Sequence, residues 1–349
     1  AELSGNVNLM IDFYNANIGE EPVYDATKIS WTRALKRNLE KQTKAQFLAD
    51  EIVIAAYRPF CKQRLYYDPA MWIEMPLQVP RLFPTPKHKN RVICTAGVGV
   101  TKSFSCLMTD IIPDLEFIGK SQCFPLYVYT KEERGEQMTL FDKGDDEYRC
   151  TSGITDFMLE RCRAEFGEKV TKEDIFYFIY GVLHSPDYRK RFEADLKKSL
   201  ARIPLPKTGA DFAAFVKAGR KLGDLHCGSE SVKPWKDCVV DVAATSAALP
   251  LDAFPSSQSS PMSHSPYHVT KMRFAKKDNP TDENKNGKLD RKEVEDRSRI
   301  IYNDRITIRG IPLAAYDYVV NGKSAVRFDP KGTVTRAQFV TTLGRMLTP

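Results

Sequence analysis

No run of eighteen or more apolar residues occurs in the sequence, so a membrane-spanning helix is not expected. The opening residues, Ala1-Glu2-Leu3-Ser4-Gly5, hold no initiator Met and no basic stretch leading into an apolar core. A signal peptide is therefore not expected, and the chain reads as a processed product or a piece of something longer. Histidine is scarce: His88, His184, His226, His264 and His268 share no metal-ligand spacing. Eight cysteines are present, but no two form a Cys-x-x-Cys pair, which excludes a zinc ribbon. With no export signal they are expected as reduced thiols.

Catalytic signatures are equally absent. There is no Gly-x-x-x-x-Gly-Lys-Ser/Thr to cradle a triphosphate, no His-Glu-x-x-His and no Gly-x-Ser-x-Gly. Gly97-Val98-Gly99 lacks the third glycine of a dinucleotide loop, and the Asn-Pro-Pro-Tyr of adenine methyltransferases is missing. Asp110 and Asp114 flank Ile-Ile-Pro, either as paired carboxylates or as turn caps. His184 stands at a helix end, where a capping or half-buried imidazole competes with a catalytic base. No active site is expected within the chain.

What is present is ordinary globular material. Of the 349 residues, 42% are apolar and 28% charged, which argues against wholesale disorder. The net charge of +7 permits a phosphate-rich partner without establishing one.

The pattern changes along the chain. Residues 1–50 read as mostly helical. Trp31, Leu35 and Leu39 make one apolar stripe on a basic segment ending at Lys44, either a solvated face or a phosphate-facing one. Residues 51–150 read as short strands, clearest at Arg91–Ala96 and Phe124–Thr130, followed by an acid-rich surface loop over 131–149. Residues 151–253 read as a helical layer. There Thr171-Lys-Glu-Asp174 has capping-box form, and Ser185-Pro186 starts the next helix. Tyr188, Phe192, Leu196 and Leu200 recur every four residues as if on one helix, and Phe212, Phe215, Val216 and Leu222 mark a third. Cys162 reads as a small buried residue. Residues 254–268 form a Ser/Pro-rich linker. Residues 269–349 form a small C-terminal part with strands around Val269–Phe274, Ile300–Tyr302 and Ile306–Ile311. The fold class expected is α+β: a strand-rich N-terminal half, a central helical layer and a small strand-containing C-terminal part.

One local motif is specific. Asp282, Asn284, Asn286, Lys288, Asp290 and Glu293, with Gly287 and Leu289, fit the spacing of an EF-hand loop. Calcium takes six to eight oxygens, needs glycine at the sharp turn, and takes two oxygens from the final glutamate. Against calcium stand the lack of a second loop and an entering segment that ends in Asn279-Pro280, a poor helix end. The competing reading is a polar, turn-rich insertion between two strands. No cofactor is required, and calcium is the one ion for which the sequence offers a site.

Several blocks, in order, resemble the C-terminal specificity region of type ISP restriction–modification enzymes. They are Tyr57–Asp68, Pro80–Pro86, Ile112–Leu115 with Ser121–Tyr127, and Gly153–Asp156. Further on come Thr171–Tyr177, Tyr180–Tyr188, Ala194–Lys198, Lys271–Phe274, Tyr302-Asn303, and Gly310–Pro312 with Tyr318–Ser324. Together they span most of residues 9–326. The segment 280–296 and the tail after Ser324 depart from the family. Phe328–Leu347 looks like a single surface-layer homology repeat or a capped helix with Thr335 as N-cap.

The resemblance implies a module that reads a short sequence in duplex DNA, while upstream methyltransferase, helicase and nuclease domains do the chemistry. It implies a cytoplasmic protein with no membrane contact. Residues 1–50 then become a helical connector and 51–150 the recognition part. Base contacts specify and phosphate contacts position. Arginine pairs with guanine and glutamine with adenine, so Arg58, Lys62, Gln63, Arg64, Lys102, Ser103, Lys120 and Gln122 are the expected DNA-facing set. Tyr57, Phe60, Phe124 and Tyr127 are expected in the core. Arg189, Lys190, Arg191, Lys197 and Lys198 either meet phosphates or form a solvated face. The competing classes are a calcium-ordered structural or interaction protein without DNA binding, and an enzyme whose site is completed by an upstream domain.

Overall fold

The computed structural model describes residues 2–68, 71–72, 78–132, 147–232, 235–242, 272–283, 285 and 287–324. The Ser/Pro-rich segment 254–268, most of the acidic loop, and the tail with Thr335 lie outside these residues. The chain divides into two units, Ala1–Val98 with Cys106–Gly223, and Gly99–Ser105 with Asp224–Pro349.

In the first unit the chain opens with α1 (Glu2–Ala16) and α2 (Arg33–Glu40). The Thr32 hydroxyl caps α2 by accepting from the Leu35 amide. Val7, Ile11, Tyr14, Ile29, Leu35 and Leu39 close a core with Tyr66 and Met71. The basic residues Arg33, Lys36 and Arg37 stay on the exposed side.

Next come β1 (Ile52–Arg58), β2 (Cys61–Tyr66), the short α3 (Val79–Leu82), β3 (Val92–Thr95), β4 (Cys106–Thr109), β5 (Ile112–Pro113) and β6 (Gln122–Pro125). After them stand β7 (Tyr127–Lys131) and β8 (Tyr148–Ser152). They make three small sheets, ordered β2-β1-β5, β4-β3-β6 and β7-β8. β1 and β2 are antiparallel with Ile54 opposite Arg64, and β5 joins β1 in parallel.

The sequence pattern reads Phe124–Thr130 as one strand, but the structure breaks it at Leu126. Asn90 is the cause. Its side chain, only 5% exposed, accepts from the Arg91 and Tyr127 amides at 2.9 and 3.0 Å and donates to the Leu82 and Tyr127 carbonyls at 3.0 and 2.7 Å. Tyr127 thus spends both backbone groups on a side chain, and the two halves join different sheets.

The helical layer holds α4 (Asp156–Phe166), α5 (Lys172–His184), α6 (Pro186–Arg191), α7 (Glu193–Lys198) and α8 (Gly209–Cys227). The Thr171–Asp174 capping box forms, and Ser185 caps α6. Cys162 is buried on α4. The four-residue spacing from Tyr188 to Leu200 predicts one helix, yet the chain turns at Phe192 and leaves Leu200 exposed. The Tyr188 hydroxyl donates to the Arg202 carbonyl at 2.8 Å and draws the following segment back, which a continued helix would carry away.

α5 and α8 touch backbone to backbone. A Cβ on Gly219 would stand 1.9 Å from the Tyr177 carbonyl oxygen, and one on Gly181 2.5 Å from that of Phe215. Around this crossing Phe212 stacks on Phe166 and Phe178 at 4.7 and 4.9 Å.

His184 ends α5 with its ring folded back on its own helix. Nδ1 donates to the Tyr180 carbonyl at 3.0 Å, and the ring meets that of Tyr180 edge-on. Burial first, and then the Arg189 cation, push its pKa from 6.5 down to about 3, against the backbone of Tyr180 and Cys106. The imidazole is a packed structural group. Folding lowers this pKa, so below pH 6.5 the unfolded chain binds a proton the folded one refuses. Stability should therefore fall by about 1.4 kcal/mol per pH unit between pH 6 and 4 from this group alone. Urea midpoints at pH 7, 6 and 5 check this, with a flatter profile expected for His184→Gln. Equal slopes in both proteins would contradict it.

In the second unit β9 (Val239–Val242), β10 (Arg273–Lys276), β11 (Glu295–Ile301) and β12 (Ile306–Arg309) form a sheet ordered β10-β11-β12-β9. Ile300, Tyr302, Ile306, Ile308 and Ile311 are its buried residues. β13 (Val319–Val320) and β14 (Lys323–Ser324) pair beyond it. The Ser105 hydroxyl accepts from the Asn321 amide at 2.9 Å, which ties 99–105 into this unit.

Candidate nucleic-acid interface

β2 is an edge strand, and its alternation decides which residues reach solvent. Lys62 and Arg64, two apart on one face, are exposed, while Gln63 is half-buried opposite Ala55. Ile54, across from Arg64, is also exposed, so an apolar side chain stands beside the guanidinium.

Arg58 is held differently. Its Nη1 donates to Asp114 and to the Tyr57 carbonyl, both at 2.6 Å, and its guanidinium lies 3.9 Å over the Tyr57 ring. Asp114 also accepts from the Glu116 amide at 2.8 Å. Asp114 is thus a turn cap and ion-pair partner, and Arg58 binds the β1 end to the loop after β5.

Lys120 is exposed at a left-handed position with φ of 49°. Gln122 starts β6 opposite Thr95, and its Oε1 is enclosed without a hydrogen-bond partner. Lys102 and Ser103 are exposed but belong to the second unit. Of the eight expected residues the first unit therefore presents Lys62, Arg64 and Lys120 to solvent, holds Arg58 in an ion pair and half-buries Gln63 and Gln122.

The four aromatic residues expected in the core are not buried. Tyr57, Phe60 and Tyr127 are half-buried, and Phe124 is 40% exposed. The reason is position: Tyr57 and Phe60 flank the β1–β2 turn, and Phe124 lies on the edge strand β6. The alternation of Phe124 with Cys123 was the available signal for an outward aromatic. In the helical layer Arg189 donates to the Leu183 carbonyl and Lys197 pairs with Glu193, whereas Lys190, Arg191 and Lys198 are exposed.

The EF-hand-like segment closes the hairpin between β10 and β11, so strands flank it where helices would be expected. Asp282 accepts from the Gly287 amide at 2.7 Å, leaving Gly287 at a positive φ of 76°. Asp290 caps the four-residue α9 (Arg291–Val294), and Glu293, 3% exposed, turns back to the Asp290 amide. Lys288 is exposed. Asn284 and Asn286 lie outside the described residues. Among the described residues no three His, Cys, Asp or Glu side chains gather as a metal site needs. No described helix is long and apolar enough to cross a membrane.

The family model of the type ISP C-terminal specificity domain matches residues 1–328. Three solved structures are similar. The first is an ATP-dependent type ISP restriction–modification enzyme, LlaBIII, bound to DNA (27% identity, TM-score 0.70, 98% of this chain, 21% of that one). The second is a nuclease-deletion mutant of the type ISP enzyme LlaGI with a DNA substrate mimic (28%, 0.65, 98% and 25%). The third is a DrdV–DNA complex (25%, 0.70, 97% and 32%). The chain thus spans about a fifth to a third of these proteins. No curated protein sequence matches it.

Proposed function

From a chain that belongs to the type ISP C-terminal specificity domains, we propose sequence-specific recognition of duplex DNA. In this reading it is the non-catalytic specificity module of a cytoplasmic restriction–modification enzyme. Nuclease, helicase and methyltransferase activities reside in other parts of that enzyme. The exposed cationic edge of β2 is the observation that carries the reading beyond family membership. Lys62 and Arg64 leave the same face of an edge strand and are exposed to solvent, with Ile54 alongside. A two-stranded ribbon fits the major groove of B-DNA, and arginine there pairs with guanine through two hydrogen bonds. An apolar neighbour suits a thymine methyl. Lys120 supplies a further cation on the same unit. Arg58 has a different part: paired with Asp114, it shapes the strand end that presents the other two. At 282–293 Asp282 accepts from the Gly287 amide, Asp290 caps α9 and Glu293 turns back to the Asp290 amide. With the family match in place, nothing supports the reading as a calcium-ordered structural protein.

Selection from a randomised duplex pool at two salt concentrations tests the proposal. Enrichment of one short motif, weakening as salt rises, is expected. Arg64→Ala should lower affinity for that motif about 10- to 100-fold and relax preference at one base pair. Lys62→Ala should weaken all sequences alike and reduce the salt slope by about one. No enrichment at either salt concentration, or an Arg64→Ala protein with unchanged affinity and preference, would overturn it.

A further inference from the structure

Two of the eight cysteines face one another across a sheet. Cys94 on β3 and Cys123 on β6 are direct partners in the antiparallel register, and their sulfurs are 3.7 Å apart. Directly opposed residues of such strands have Cα atoms about 4.5–5.5 Å apart. A disulfide accepts about 4.4–6.8 Å, so this backbone spacing already suits the bond. We propose that Cys94 and Cys123 form a reversible thiol–disulfide site that closes in the presence of a peroxide or a diazene oxidant.

The surroundings favour this pair over the remaining thiols. Cys123 is half-buried on an edge strand, where a small oxidant reaches it, while Cys94 is fully buried behind it. The hydrogen bond shared by the two sulfurs holds Cys123 below the ordinary thiol range, against the effect of burial. Burial instead pushes Cys106 up to about 12 and Cys238 up to about 11, leaving them as thiols at neutral pH. Cys123 is thus the attacking sulfur and Cys94 the resolving one.

With hydrogen peroxide, the Cys123 thiolate attacks one oxygen and the O–O bond breaks. Hydroxide leaves, takes up the thiol proton as water, and Cys123 becomes a sulfenic acid. Cys94 then attacks that sulfur, the S–O bond breaks, and a second water departs. Two electrons pass from the thiols to the peroxide, and one S–S bond forms. With diamide the same two electrons and two protons convert its N=N bond to a hydrazine. Attack of a reductant thiolate on one sulfur reopens the bond through a mixed disulfide, which makes the site reversible.

Closing the bond draws the sulfurs from 3.7 Å to about 2 Å. That pulls on β6 next to Gln122, two residues beyond Lys120. This consequence rests on the recognition reading above. Affinity for the enriched duplex is expected to differ at least threefold between oxidised and reduced protein.

The test uses the full chain carrying Cys150→Ser, because Cys150 is exposed and would otherwise link molecules. After diamide or peroxide, alkylation under denaturing conditions should count two thiols fewer than before treatment. Peptide mapping should return one linkage, Cys94 to Cys123, reversed by dithiothreitol and absent in Cys123→Ser and Cys94→Ser proteins. An unchanged thiol count, or a linkage between other cysteines, would overturn the pair. Equal duplex affinity in the two redox forms would overturn its coupling to recognition. A reduced protein that enriches no duplex would instead refute the recognition reading, with the thiol map still deciding the pair.

Discussion

Gly219→Ala should destabilise the first unit by about 4 kcal/mol, while Gly5→Ala should leave it unchanged or slightly more stable. In a helix interior alanine is ordinarily better than glycine by about 1 kcal/mol, so propensity predicts a gain at both sites. Packing reverses the sign at one of them. The new methyl at Gly219 would lie 1.9 Å from the Tyr177 carbonyl oxygen and 2.9 Å from the Gly181 nitrogen. Both are backbone atoms in the middle of α5, so no rotamer change relieves the clash. The helices must move apart by more than an ångström. That loosens the stack of Phe166, Phe178 and Phe212 and opens space that the interior cannot refill. Around Gly5 nothing lies within 4 Å. Against a typical total of about 5–15 kcal/mol, the Gly219 loss would unfold a large fraction of a marginal protein. Urea unfolding of the two variants decides the matter. A Gly219→Ala protein within 0.5 kcal/mol of the parent would show that α5 and α8 do not cross this closely.

Asn90→Leu should cost about 3–5 kcal/mol, because it strands several buried backbone groups together. Leucine fills the volume but leaves the Tyr127 amide, the Tyr127 carbonyl and the Leu82 carbonyl without the partner Asn90 gave them. Each such group costs about 1–3 kcal/mol when left unsatisfied, and the three are not additive. Asn90→Asp is the sharper test. The carboxylate can still accept from the Arg91 and Tyr127 amides, but its second oxygen faces two carbonyls where an NH2 donated before. The substituted acid must stay protonated to donate there, which raises its folded-state pKa above the unfolded value of about 4. A raised carboxyl pKa gives stability that is present below the unfolded value and lost as pH rises through the folded one. The variant should thus be closest to the parent near pH 4 and fall behind it by pH 7. Thermal melts across that range would show the trend, and a pH-independent difference would refute the donor role of the Asn90 amide.

The Thr171–Asp174 capping box and the Ser185-Pro186 helix start were legible because their partners lie within three residues. The strands β3 and β12 likewise follow from local apolar content, whereas only the Ile300-Ile301 end of β11 does, its first five residues being polar. The break at Leu126 was not legible, since Tyr127 is captured by Asn90 from 37 positions away. Nor was the bend at Phe192, which depends on Tyr188 reaching Arg202. The same limit divides the candidate interface. Lys62 and Arg64 follow from strand alternation. Arg58 looks identical to them in sequence, and its ion pair depends on Asp114, 56 residues on, folding against it. Phe124 looked like core because Phe-Pro-Leu-Tyr is apolar throughout, and edge position is a property of the sheet rather than of the segment.

The second unit borrows residues 99–105 from the middle of the first, and Ser105 meets Asn321 across 216 positions. That arrangement sets an order of events on the ribosome. At about 5–20 residues per second, some ten to forty seconds separate the emergence of this short segment from that of its partner. During that interval strands β3 and β4 can already pair, as their connecting loop waits for a surface not yet synthesised. Division of the chain anywhere between the two would leave each fragment with an incomplete second unit.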